Sequence, residues 1–181
     1  MPPIQLLIYN TIADSHLAAA YFSSISAMHT GATSDEARTT IYVPPIIFNR
    51  NNKQVPRFVR VADMLWSAAG ISGLWRHDRI RPPTSVYSLP LSLVKRVHGW
   101  DAGPEAIGED LHMYLKCYWA LQGNLTCKIV PSPASQTNVQ AGLEESYLEN
   151  LVLSHKMRYN QAIRHMVSLL RLNIGWITSD T

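Results

Sequence analysis

Short apolar runs alternate with helical patterns along this 181-residue chain, and that alternation restricts it to a layered α/β fold. Residues Ile4 to Ile12, bounded by Pro3 and Asp14, suit a buried strand. Leu17 to about His29 has helical spacing and stops near Gly31. Thr39 to Phe48 is β-branched but carries Pro44 and Pro45, which predicts an edge strand or an extended loop. A polar turn follows over Asn49 to Pro56, then a largely buried helix from Val59 to Ala69 that ends at Gly70. Ser72 to Ser85 reads as a loop, Val86 to Leu89 as a strand and Leu91 to Val97 as one or two helical turns. The clearest helix runs from Glu109 to Leu121, with acids at its positive end and Gly123 past its other end. Leu125 to Val130 alternates as a strand, PSPASQTN is a loop, and two helices cover about Leu143–Leu153 and His155–Leu172.

Hydrophobic residues make up 46% of the chain and charged residues 16%, which excludes a disordered protein and predicts a sizeable core. The net charge of +3 is spread along the sequence, apart from a basic loop at Arg76, Arg79 and Arg81, so no nucleic-acid partner is expected. Cys117 and Cys127 occupy apolar positions without metal-ligand spacing and read as buried thiols of a reduced compartment. No apolar run reaches the ~18 residues that span a bilayer. The N-terminal stretch lacks the marks of a signal peptide and enters an apolar strand almost at once, which predicts a single but incomplete domain over residues 1–181.

Three groups of residues carry candidate chemistry. Glu109 and Asp110 follow a stiff turn, Trp100-Asp101-Ala102-Gly103-Pro104, and open a helix. Carboxylates there can take a proton from a substrate hydroxyl, or they can simply favour the helix dipole. Asp14 lies just past the first strand, where an acid can hold a divalent cation on a diphosphate or cap the next helix. Gln161, Arg164 and His165 share one helical face and could line a cleft or a solvated surface. Trp66, Trp75 and Trp100 could stack on a sugar ring or pack in the core. His112, His155 and His165 lack metal-ligand spacing, and no nucleophile elbow, P-loop or dinucleotide fingerprint is present.

The segments IADSHLAAAYF, VPRFVRVADMLWSAAGISGLW, WDAGPEAIGEDLHMYLKCYWALQGNL, VPSPASQTNV and RYNQAIRHM resemble, in order, the inverting family-two-like glycosyltransferases, most closely a fungal branch of large membrane-linked members. The likeness covers roughly residues 6 to 170. It implies a partial GT-A, Rossmann-like domain, with a mixed sheet flanked by helices. It further implies transfer of a sugar from a nucleotide-sugar donor to an acceptor hydroxyl. Asp110 then matches the general base, with Glu109 its neighbour, and Asp14 matches the second acid of a D-x-D motif holding Mn²⁺ or Mg²⁺. Gln161, Arg164 and His165 match the Q-x-x-R-W motif at the acceptor and diphosphate, and Trp100 is a candidate substrate contact beside them. Ile12 stands where the first acid of D-x-D is expected, which predicts weak metal binding, and His165 replaces the tryptophan. The family implies a membrane-associated, cytosol-facing domain, its membrane segments and nucleotide-binding half lying outside this sequence. Two competing readings are a catalytically silent binding fragment and an unrelated metal-dependent hydrolase built on Asp14, Glu109 and Asp110.

Overall fold

A computed structural model describes residues 7–10, 14–72, 83, 85–100, 109–140 and 147–177. In chain order the elements are β1 (Leu7–Asn10), β2 (His16–Leu17), α1 (Ala19–Thr30), α2 (Ser34–Thr39), β3 (Thr40–Val43), β4 (Ile46–Phe48), α3 (Arg57–Ser72), β5 (Tyr87–Pro90), α4 (Leu91–Arg96), α5 (Glu109–Ala120), β6 (Thr126–Ile129), β7 (Ala134–Gln136) and α6 (Tyr147–Ile177). Two mixed sheets result, ordered β1-β5-β3-β6 and β2-β7-β4, with helices around them. This is the mixed α/β architecture expected from the alternation of strands and helices.

The period-2 alternation of β3 and β5 separates the two faces of the main sheet. Ile41, Tyr87 and Leu89 point to one face and pack with Leu93, Val94 and Val97 and with Met113, Tyr114, Cys117 and Leu121 of α5 and the turn after it. Tyr42 and Val86 point to the other face and meet Tyr21 and Ile25 of α1, together with Val130 and Ala134. In this second layer the Tyr21 hydroxyl lies 2.8 Å from Ser88 Oγ and His29 Nδ1 lies 3.2 Å from the Tyr42 hydroxyl, while His29 Nε2 finds no hydrogen-bond partner among the described residues. Tyr21→Phe is therefore expected to lower stability by about 1–2 kcal/mol, measured by urea unfolding, because it strips a partner from the fully buried Ser88. Burial pushes the Cys117 thiol up to about 12, so the thiol is a packing group and not a nucleophile.

Strand directions fix which ends come together. β1 runs antiparallel to β5, with Asn10 opposite Tyr87. β3 is antiparallel to β5 and parallel to β6. The carboxyl ends of β1, β3 and β6 thus meet the start of β5 at one end of the sheet. A tight turn with Gly123 at φ +83° reverses the chain between α5 and β6. α5 packs Met113, Tyr114 and Cys117 against Ile41, Tyr87 and Leu89 of the main sheet.

Four expectations are corrected. The Thr39–Phe48 stretch divides at Pro44 and Pro45: β4 is the expected edge strand, whereas β3 is interior, because the prolines fall beyond its last paired residue, Val43; Pro45 contributes only its carbonyl, which accepts from Ala134 N at 2.9 Å. α3 runs through Gly70 to Ser72, and only Val59 and Asp63 of it are buried; Phe58, Val61, Met64, Leu65 and Trp66 are exposed. The PSPASQTN segment contains a strand, β7, central in the second sheet. The last two helices are one, since Ser154 turns its hydroxyl sideways to Asn150 Oδ1 at 2.9 Å and leaves the backbone helical. Trp75, Arg76, His77, Arg79 and Arg81 lie outside the described residues. Among the described residues, no helix is long and apolar enough to cross a membrane.

Candidate functional site

Asp14 sits beyond β1 at the carboxyl-end edge of the main sheet, the position where open α/β sheets bind ligands. Three neighbours fix it. The Thr137 hydroxyl donates to its Oδ2, and the Arg50 guanidinium donates to its backbone carbonyl. Gln136 Nε2 donates to Ser15 Oγ at 2.9 Å and to Ser85 Oγ at 2.7 Å, tying the residue after Asp14 to the approach of β5. An amide cluster locks the two loops that carry these groups. Asn138 donates from its backbone N–H and side chain to Asn51 Oδ1, and Asn51 Nδ2 donates to the Asn138 carbonyl and to Gln140 Oε1. The Asn51–Asn138–Gln140 cluster was not foreseen from the sequence. The asparagine-rich runs FNRNN and SQTN were its only signal.

Glu109 and Asp110 form the first turn of α5, as the sequence predicts. The two differ in their surroundings. Glu109 is exposed, whereas Asp110 is half-buried and its Oδ1 finds no hydrogen-bond partner among the described residues. Desolvation, with a smaller contribution from the Glu109 charge, pushes the Asp110 carboxyl up to about 7. A carboxylate in that range both accepts and releases a proton near neutral pH.

The Trp100 ring meets Tyr87 edge-on at a centroid distance of 5.7 Å, so part of its surface serves the core. Gln161 lies on another element. It belongs to α6, which docks on α3 through an ion pair of 2.8 Å between Arg158 and Asp63. Gln161 Oε1 accepts from Arg158 Nη1 at 2.8 Å. Arg164 and His165 follow on the same helix, their side chains outside the described residues; Ile12 and residues 101–108 are likewise outside them.

Among the described residues, no group of three or more His, Cys, Asp or Glu is gathered to hold a metal ion. Asp14 and the Thr137 hydroxyl are hard oxygen donors, the type that Mg²⁺ and Mn²⁺ take. One carboxylate suffices for such an ion when substrate phosphates supply further oxygens. The donor set fits a divalent cation only in that shared form.

A carboxylate poised near neutrality suits proton abstraction from a hydroxyl. Residues 13–179 match the model of glycosyl transferase family group 2, which covers both Asp14 and the Glu109–Asp110 pair. The chain belongs to glycosyl transferase family group 2. The chemistry of a group 2 glycosyl transferase is transfer of a sugar to an acceptor, and its mixed α/β fold agrees with the two sheets described above. No curated protein and no solved structure matches the chain.

Proposed function

We propose that this chain carries the acceptor side of an inverting sugar transfer, with Asp110 as the general base. What supports the reading is one observation: the Asp110 carboxylate, on the first turn of α5, has a desolvated oxygen without a hydrogen-bond partner among the described residues. In this scheme the acceptor hydroxyl oxygen attacks the anomeric carbon of a nucleotide-sugar from the face opposite the diphosphate. Asp110 takes the hydroxyl proton as the new C–O bond forms, and the bond to the diphosphate breaks with its electron pair leaving on the phosphate oxygen. Burial keeps the base in its working range, with a smaller contribution from the Glu109 charge, and Trp100 offers its ring to the sugar. Gln161, Arg164 and His165 of α6 contact the acceptor and the diphosphate. Asp14, with the donor's phosphate oxygens, would hold Mn²⁺ or Mg²⁺, which supplies Lewis-acid stabilisation of the leaving diphosphate.

The test is a panel of nucleotide-sugars incubated with and without hydroxyl acceptors, the product configuration being read by NMR. Acceptor-dependent product of inverted configuration is expected. Donor hydrolysis that ignores the acceptor would instead favour a hydrolase. Ile12 in place of the first acid favours a second reading, a catalytically silent binding protein, and acceptor binding without product would identify it. Glu109→Gln is expected to move the acidic limb of the transfer rate to lower pH, since it removes a charge that raises the Asp110 value. An unmoved limb in Glu109→Gln would show that the two carboxylates do not interact.

A further inference from the structure

The core of α3 and the motif-bearing face of α6 are joined by a single polar chain. Asp63 is the only charged residue of α3 that is fully buried, at 2% exposure, and its Oδ1 meets Arg158 Nη2 at 2.8 Å. The other terminal nitrogen of Arg158, Nη1, donates to Gln161 Oε1 at 2.8 Å. One planar guanidinium thus spans both partners, a geometry that lysine cannot reproduce. The stacked rings of Phe58 and His155, 4.4 Å apart, flank this contact. Arginine has no acceptor, so the carboxamide atom facing it must be the oxygen. The orientation of Gln161 is therefore dictated by charge, and its NH₂ group is the end left for a ligand.

We propose that Asp63 and Arg158 are positioning residues: they fix α6 on α3 and hold Gln161 as a hydrogen-bond donor toward an oxygen-rich ligand, a diphosphate or a sugar hydroxyl. The identity of that ligand rests on the sugar-transfer reading above; the orientation of Gln161 does not. Asp63 needs its partner because burial alone raises its carboxyl and favours the neutral form, which Arg158 opposes. With Asp63 ionised, the guanidinium is held in place and Gln161 has one orientation. Without it, both ends of the carboxamide are free.

A purely structural ion pair and a positioning pair respond differently to an apolar replacement. Packed hydrophobic residues restore the stability that a buried pair supplies, but they cannot orient a carboxamide. The experiment compares wild type with the double variant Asp63→Leu/Arg158→Met. It reads the thermal midpoint and the side-chain NH₂ resonances of Gln161 in ¹⁵N-labelled protein, assigned by their loss in Gln161→Glu. Expected is a double variant that melts at or above the wild-type temperature while the Gln161 resonances move to those of a free carboxamide. Resonances unchanged in a folded double variant would overturn the proposal. Arg158→Lys, which keeps the charge, supplies the second arm: the Gln161 resonances are expected to shift here too, and wild-type resonances in Arg158→Lys would also overturn it. In transfer assays the double variant is expected to lose at least about tenfold in kcat/KM, the effect of one oriented hydrogen bond. A wild-type protein that transfers no sugar would end the transferase reading, and the resonances would still decide the role of Asp63 and Arg158.

Discussion

At pH 8, Asp110→Asn is expected to melt above the wild type. The carboxyl ionises at about 7 in the folded chain, against an ordinary value of 3.8, because folding takes it out of water beside Glu109. Its folded value is raised, so between pH 4 and 7 the unfolded chain gives up the proton while the folded chain retains it. Stability from this group therefore falls as pH rises through that window, and the loss is complete above about 7. The interval is worth at most about 4 kcal/mol, and about 2 kcal/mol once solvent access to a half-buried group is allowed for. Asparagine keeps the shape and removes the charge. A gain of about 4–8 °C in melting temperature at pH 8, and none near pH 4, is the expected calorimetric result. An equal gain at both pH values would assign the effect to packing. A destabilising carboxylate kept in a protein is the pattern of a functional group, and this prediction separates that role from helix capping. A capping acid stabilises the protein in its charged form, whereas a gain on Asp110→Asn at pH 8 alone would mark the charged Asp110 as destabilising.

Arg158→Met alone is expected to be strongly destabilising. It leaves Asp63 charged, 2% exposed and without its cation. Breaking one side of a buried pair costs about 3–5 kcal/mol, whereas replacing both sides with apolar residues is neutral or favourable. The expected urea midpoints thus follow a fixed order: Arg158→Met well below wild type, and Asp63→Leu/Arg158→Met at or above it. A single variant as stable as the wild type would show that the pair is solvated and that α6 is held by other contacts. The pH dependence has a sign as well. The buried Asp63 carboxyl is raised, so protonation at low pH weakens its hold on Arg158, and in the single variant protonation relieves the stranded charge. Arg158→Met should therefore lose less stability at pH 4 than at pH 8.

The sequence disclosed those parts of the fold in which a local pattern and the final environment agree. α1 shows this: Tyr21, Ile25 and His29 recur every four residues and all are buried. α5 shows it too, with acids in its first turn and Gly123 after its end. Elements whose existence depends on distant partners were hidden. β7 has no apolar alternation, and Ser135 and Gln136 become strand residues only because β2 and β4 flank them. α2 carries a signal legible in the sequence, the Thr33–Glu36 capping box, in which Glu36 N donates to Thr33 Oγ1 and Thr33 N donates to Glu36 Oε2. α3 misled because its apolar residues suggest a core helix, while its buried face holds a charge, Asp63.

The same division applies to the site. The acids at 14, 109 and 110 could be named from their places at a strand end and a helix start. The hydrogen bond that sets Asp14 could not, since Thr137 and Asp14 are 123 residues apart in the chain. The unequal surroundings of Glu109 and Asp110 were also beyond reach, because adjacent residues on a helix face different neighbours by 100° of rotation. Gln161 was placed correctly on the last helix, but its restraint by Arg158 and Asp63 required the packing of α3.

The decisive measurement is the transfer rate as a function of pH for the wild type and Asp110→Asn, with saturating donor and acceptor. If Asp110 accepts the hydroxyl proton, the wild-type rate rises toward a plateau with a midpoint near 7. In Asp110→Asn the rate falls by about 10²–10⁴ and that limb disappears. A substituted protein that transfers sugar at the wild-type rate, with the same limb, would contradict the account.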